Sequence, residues 1–250
     1  MALFADHDLT TIEDLAGVDH NVLSIAAVEG IDLTKKLALA QQLLIQDISR
    51  VLAKDPGQGA TYDAGQVVRT PSLRLCHALK AIELTYQEAF AGQGVDRFER
   101  CRVTYSAEAK RVLTAELERG LPVVLNPLPR PTGPVVTSSA GTGPAGPIDF
   151  AVSWINQAGE ESSLGTLVAI ENSSGEMITV TPPTAPPFAT GWIVYASLPG
   201  ERPGRQYGPL GLNESWRAPD QLSSLGPAGE GQTGNVVLRL SPGTNLLWRG

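Results

Sequence analysis

The sequence predicts a multidomain α+β protein: a helical bundle over residues 1–126, a Pro/Gly-rich linker over 127–147, an antiparallel β-sandwich over 148–219 and an extended C-terminal arm over 220–250. Three observations predict it. As far as Gly120, apolar residues recur every three or four positions between cap-forming residues, the signature of amphipathic helices. Near residue 127 the composition turns to proline, glycine, serine and threonine. From 148 to 195, apolar and polar residues alternate in short runs separated by turn residues, the pattern of half-buried strands.

Residues 9–30 carry Ile12, Leu15, Val18, Val22, Leu23, Ile25 and Ala26 at near-helical spacing, interrupted by Gly17 and ended by Gly30, which predicts one or two short helices. Asp32 can accept from the first free N–H groups of the next helix, which runs to about Lys54 before Asp55-Pro56-Gly57 stops it. Its stripe of Leu33, Leu37, Ala40, Leu44, Ile48 and Val51 is widened by Leu43, Ile45 and Leu52, so this helix expects two neighbours. After a loop over 58–69, Thr70-Pro71 starts a third helix: a hydroxyl cap, then a proline whose fixed φ and missing N–H suit the first helical position. Leu75, Leu79, Ile82, Tyr86 and Phe90 form its seam, flanked by Cys76 and Glu83, and Gly92 and Gly94 close it. A last helix opens near Asp96 and ends at Gly120, with Phe98, Cys101, Tyr105, Ala109, Val112 and Leu113 facing inward and Asp96 and Arg100 paired outside. Unbroken, it is about 36 Å long at 1.5 Å per residue.

The apolar run Leu121-Pro122-Val123-Val124-Leu125 becomes a polyproline-like connector through Pro127, Pro129 and Pro131. Residues 132–147 lead into the sandwich, with one edge strand expected at Val135-Val136-Thr137. Ile148, Phe150, Val152 and Trp154 share one face of an extended chain, and Asp149, Ala151 and Ser153 the other. Runs over 164–170, 177–181 and 192–195 supply further strands, and 207–216 completes the sheet. The arm is mostly flexible in composition. It carries the apolar residues Val236, Val237, Leu238, Leu240, Leu246, Leu247 and Trp248, which need a partner surface on this chain or another and are the expected contact residues.

Formal charge is −7, with 14 Lys+Arg against 17 Asp+Glu through residue 130, 5 against 9 beyond it, and no lysine after Lys110. Such a surface disfavours extensive nucleic-acid binding. Cys76 and Cys101 read as reduced core residues, with a disulfide between them the alternative. No apolar run reaches the roughly 18 residues that span a bilayer, and the N-terminus lacks a basic region followed by an apolar one. The expectation is a soluble protein made in the cytosol, with no membrane partner.

Catalytic, metal and cofactor sites are all expected to be absent, and the protein is expected not to be an enzyme. Gly141-Thr142-Gly143-Pro144-Ala145-Gly146 is a literal G-x-G-x-x-G, but Pro144, Pro147 and the strand pattern that follows deny it the helix a dinucleotide loop opens. Asp6-His7-Asp8 is a solvated lead-in before it is a ligand set. His77 beside Cys76 has no third group to make it a base, and the pairs Glu83/Glu88 and Glu116/Glu118 read as solvated helix faces.

Two resemblances rest on these residues. Phe150-x-Val152-x-Trp154-x-Asn156-x-x-Gly159-x-x-Ser162 resembles the last hairpin of an immunoglobulin or fibronectin type III-like module, and Pro183-x-x-Pro186 followed by Gly191-Trp192-Ile193-Val194-Tyr195 resembles an early strand of one. In an ordinary module the proline-led strand comes first, so the halves are reversed or belong to a related sandwich with other connections. In the helical part, Asp32-Leu33-x-x-Lys36-Leu37-Ala38-Leu39-Ala40-Gln41, Thr70-Pro71-x-Leu73, Tyr86-x-x-Ala89-Phe90, Asp96-Arg97-Phe98 and Gly120-Leu121-Pro122-Val123-Val124-x-Asn126-Pro127-Leu128-Pro129 resemble the head-to-tail connector, or adaptor, proteins of tailed bacteriophages over residues 9–131.

That resemblance implies a virion structural protein of the neck between capsid and tail, made in the host bacterial cytoplasm. It implies a homo-oligomeric ring, dodecameric in the usual case, docked on the portal protein, contacting tail or neck proteins, and passing DNA without sequence-specific binding. The acidic balance suits a channel that should not hold phosphates. The competing expectation is an oligomeric binding module whose sandwich attaches to carbohydrate or a host surface. Exposed, coplanar tryptophans among Trp154, Trp192, Trp216 and Trp248 would favour it.

Overall fold

The computed structural model describes residues 3–6, 9–53, 62–229 and 231–238. The chain is α+β, with five α-helices among the described residues preceding antiparallel sheets. Among the described residues it divides into two compact units, one built of Phe4–Val123 and Asn235–Leu238, the other of Leu3 and Val124–Gly234. The sandwich is thus inserted into the helical unit instead of following it. Residues 127–147, expected as a linker, and 220–234, expected as the base of a free arm, both belong to the sandwich unit.

In the helical unit, α1 (Ile12–Val18) opens with a capping box: Thr11 Oγ1 accepts from the Asp14 N–H at 3.2 Å, and Asp14 Oδ2 accepts from the Thr11 N–H at 2.8 Å. A second short helix, α2 (Val22–Glu29), ends at Gly30, whose φ of 68° is the left-handed conformation of a C-cap. Asp32 caps α3 (Leu33–Leu52) through the N–H groups of Thr34 and Lys35. Thr70 caps α4 (Pro71–Gln93) through the Leu73 N–H, with Pro71 in the first turn. Finally α5 (Asp96–Arg119) passes unbroken through Val103 and Thr104.

The central element is α4, which packs against α5, α3, α1 and α2. Its middle is therefore buried on more sides than a single seam: besides Leu79, Ile82 and Tyr86, it buries Leu73, Cys76, His77, Ala78, Ala81, Glu83, Thr85 and Ala89. Leu75, expected inside, is 41% exposed. Of the expected α3 stripe, Leu33, Ala40, Leu44, Ile48 and Val51 are buried, while Leu37, Leu43, Ile45 and Leu52 are half-buried. On α5 the ion pairs are Glu99–Arg102, Glu108–Arg111 and Glu116–Arg119, three residues apart, in place of the expected Asp96–Arg100.

Beyond α5, β1 (Leu121–Val123) pairs antiparallel with β9 (Val236–Leu238), Leu121 opposite Leu238 and Val123 opposite Val236. Leu121, Val123 and Leu238 turn into the apolar cluster formed by Leu44, Ile48, Leu73, Leu79, Val112 and Leu113. This ribbon closes the helical unit across the two chain crossings to the inserted sandwich.

The sandwich has one sheet of order β2-β5-β8 and one of order β4-β3-β6-β7. The strands are β2 (Val135–Ser139), β3 (Gly146–Ile155), β4 (Val168–Asn172), β5 (Met177–Thr181), β6 (Gly191–Ser197), β7 (Gly204–Gly211) and β8 (Trp216–Arg217). The neighbour relations β2-β5 and β4-β3-β6-β7 match those of strands B-E and C′-C-F-G in an immunoglobulin-type sandwich. In that frame the Phe150–Trp154 segment is a central strand, not part of a last hairpin, and Gly191–Ser197 is its neighbour, not an early strand.

Ile148, Phe150, Val152 and Trp154 of β3 meet Trp192, Val194 and Ala196 of β6 and Ile178, Val180 and Trp216 of the other sheet in one core. Leu128 is fully buried in the same core, which is why the proline-rich stretch is anchored instead of spanning as a spacer. Gln232 fastens it, accepting from the Leu128 N–H at 2.6 Å and donating to the Asn126 carbonyl at 3.0 Å. The second face of β3, expected to meet water, is also buried at Ala151 and Ser153. Glu161 lies over that face, and the chain over 223–229 runs beside β7, exchanging backbone hydrogen bonds between Arg205, Leu225 and Gly226.

Candidate docking surface

The expected contact residues split into two groups. Val236 and Leu238 are turned inward by the pairing of β9 with β1, and Leu238 is buried in the helical cluster, while Val237 on the opposite face of the strand is exposed. The physical reason is that β1 offers an edge beside an apolar cluster, and a distant strand of this same chain fills it. Leu240, Leu246, Leu247 and Trp248 lie outside the described residues.

The side chains with chemical potential are engaged structurally. His77 Nε2 faces the Leu37 carbonyl at 2.9 Å. A carbonyl only accepts, so Nε2 carries the proton and Nδ1 accepts from the Thr10 hydroxyl at 2.6 Å. Burial lowers the His77 pKa from its ordinary value, against the Leu37 hydrogen bond, and keeps the ring neutral. Cys76 donates to the Ala109 carbonyl, and burial pushes its thiol up to about 12, the opposite of an activated nucleophile. Cys76 and Cys101 are both free thiols. His7 and Asp8 lie outside the described residues, and no group of three or more metal-ligating side chains occurs among the described ones.

Two glutamates expected on solvated faces are buried. Glu116 accepts from the Thr70 hydroxyl at 2.5 Å and pairs with Arg119 at 3.2 Å, tying the end of α5 to the cap of α4. Glu83 lies 2.9 Å from Lys80 Nζ within α4, with one carboxylate oxygen lacking an aligned donor. Glu88 is exposed and pairs with Lys36. In the sandwich, Glu161 accepts from Ser153 at 2.5 Å and Tyr195 at 2.6 Å. Burial, then the hydrogen bond to Glu161, raises the Tyr195 pKa, so this phenol is a donor fixed in place. Glycines of the G-x-G-x-x-G stretch serve a strand-to-strand turn: at Gly143 a Cβ would stand 2.3 Å from the Glu176 carbonyl oxygen. Backbone approach between strands requires that glycine, not a phosphate.

The helical unit also carries a concave surface. Between α1 and α4 an open depression of about 200 Å³ is lined by Val18, Pro71, Leu75 and Ala78, with Thr10, Asp14 and Arg74 at its polar side. Pro71, Leu75 and Ala78 recur along one face of α4, and Val18 stands one turn beyond Asp14 on α1. Arg74 is held by Asp14 at 3.1 Å and by the Leu9 carbonyl at 3.2 Å. The Thr11 N–H, with Arg74 alongside, keeps the Asp14 carboxyl below its ordinary range against the pull of burial. Sequence spacing put Leu75 in the core. The signal that was missed is the short α1, which covers α4 only in part.

Trp154, Trp192 and Trp216 are all core residues, so none of the described tryptophans forms an exposed platform. No described helix is long and apolar enough to cross a membrane. Compared with family models and with curated proteins, the sequence matches none.

Proposed function

We propose that the chain is a structural virion protein of a tailed bacteriophage: an adaptor subunit that assembles into a ring, docks on the portal and joins it to the tail, with DNA passing through. The observation that carries the reading is the coincidence of two boundaries. The stretch that resembles connector proteins, 9–131, nearly coincides with the main chain segment of the helical unit, Phe4–Val123, and that unit retains an open apolar depression.

The remaining features fit a part that works by shape. Asp32 is spent on a helix cap, Glu116 on a tie between α5 and the cap of α4, and His77 on a buried hydrogen-bonded lock. The inserted sandwich, with a tryptophan-filled core, would serve as decoration or as a platform for tail or neck proteins. Buried Trp154, Trp192 and Trp216 lend nothing to the carbohydrate-binding alternative. The test is electron microscopy of the purified chain mixed with portal rings. Added density of matching rotational symmetry on one axial face of the portal is expected, and portal rings that stay bare at micromolar chain contradict the proposal.

A further inference from the structure

We infer that the depression between α1 and α4 receives the apolar C-terminal segment of a neighbouring copy, with Trp248 as the inserted side chain; the inference rests on the reading of that segment as a contact. The first ground is size. At about 200 Å³ the depression is smaller than the roughly 300 Å³ at which small-molecule pockets begin, and it suits one large side chain. The second is the lining. Val18 and Leu75 form apolar lips that are 37% and 41% exposed, a cost in water that an aromatic insert removes.

The third ground is what Arg74 offers. Its Nε and Nη2 are spent on Leu9 and Asp14, while Nη1 is uncommitted among the described residues. A guanidinium beside an apolar hollow selects an aromatic over an aliphatic insert, through cation–π attraction to an indole face. The fourth is supply. After Leu238, Trp248 is the one aromatic residue in the chain, with Leu246 and Leu247 beside it. Tryptophan buried in a central pocket is also the commonest kind of energetic anchor in an interface.

A knob and a pocket at different places on one chain make a heterologous, head-to-tail contact, which closes into a ring when the rotation permits. The inference therefore gives the proposed ring a specific joint.

The test uses full-length chains in a Cys101→Ser background, where the remaining thiol, Cys76, is buried. Chains carrying Val18→Cys are mixed with chains carrying Arg249→Cys and treated with a short bismaleimide. A crosslinked dimer from the mixture, and none from either chain alone, is expected. Leu75→Asp and Trp248→Ser should each abolish it and shift the assembly to monomer, with helical circular dichroism unchanged because Leu75 is already exposed. A ring that persists without crosslinking, or that survives both substitutions, overturns the docking while leaving the adaptor reading standing. A crosslink formed within one doubly substituted monomer overturns it in favour of self-docking. A wild-type chain that is monomeric alone and ignores the portal overturns both.

Discussion

His77 makes the helical unit sensitive to acid. Its ring is folded neutral between Thr10 and Leu37, and burial depresses its pKa. A base with a depressed folded pKa contributes stability present above its unfolded value, near 6.5, and lost as pH falls toward the folded value. The unfolding midpoint of the helical unit should therefore drop between pH 7 and pH 5, with a shallower drop in His77→Gln, followed by circular dichroism at 222 nm. At the other end, Cys76 and Tyr105 are both pushed up to about 12, chiefly by burial. Their contribution is complete below pH 9 and declines as pH rises toward 12. Gly143 makes a different residue-level demand, since a methyl group there would collide with the Glu176 backbone. Gly143→Ala should cost the sandwich about 1–3 kcal/mol in denaturant unfolding, the penalty of overpacking at a site that cannot yield.

At the scale of elements, the helices were legible because cap chemistry is local. Asp32, Thr70-Pro71 and the glycines at 30 and 94 all act within a few residues of the ends they define. What was not legible depended on distant partners. Leu128 reads as part of a stiff spacer until Gln232, 104 residues away, takes its N–H. Val236 and Leu238 read as a free contact segment until β1 supplies the opposite strand. Glu116 and Glu83 read as solvated because helical periodicity does not reveal how many neighbours a helix has. The ribbon of β1 and β9 makes its own prediction. Leu238→Ala should destabilise the helical unit by about 2–3 kcal/mol, the cost of removing a buried leucine at the margin of a cluster. The sandwich transition should stay where it is, and Val237→Lys, on the exposed face, should change neither by more than about 0.5 kcal/mol.

At the scale of the molecule, the α+β class and the position of the compositional break were readable, but the insertion was not. Nothing near residue 124 announces that the chain will return 112 positions later to pair Val236 with Val123. The insertion is testable directly. Because those two valines face each other in antiparallel register, Asn-Gly can replace residues 124–235 as a two-residue hairpin turn. The excised chain should keep a cooperative helical unfolding transition, and its absence would mean that the helical unit depends on the insert to fold. The docking hollow lies entirely within that unit, so assembly should depend on the helices and the C-terminal segment while the sandwich is dispensable for it. The most direct measurement of the adaptor account is the native mass of the intact 26.4 kDa chain, alone and with portal protein. A closed assembly of about twelve chains is expected in at least one of the two conditions, and a species that stays at the mass of one chain in both would contradict the adaptor role.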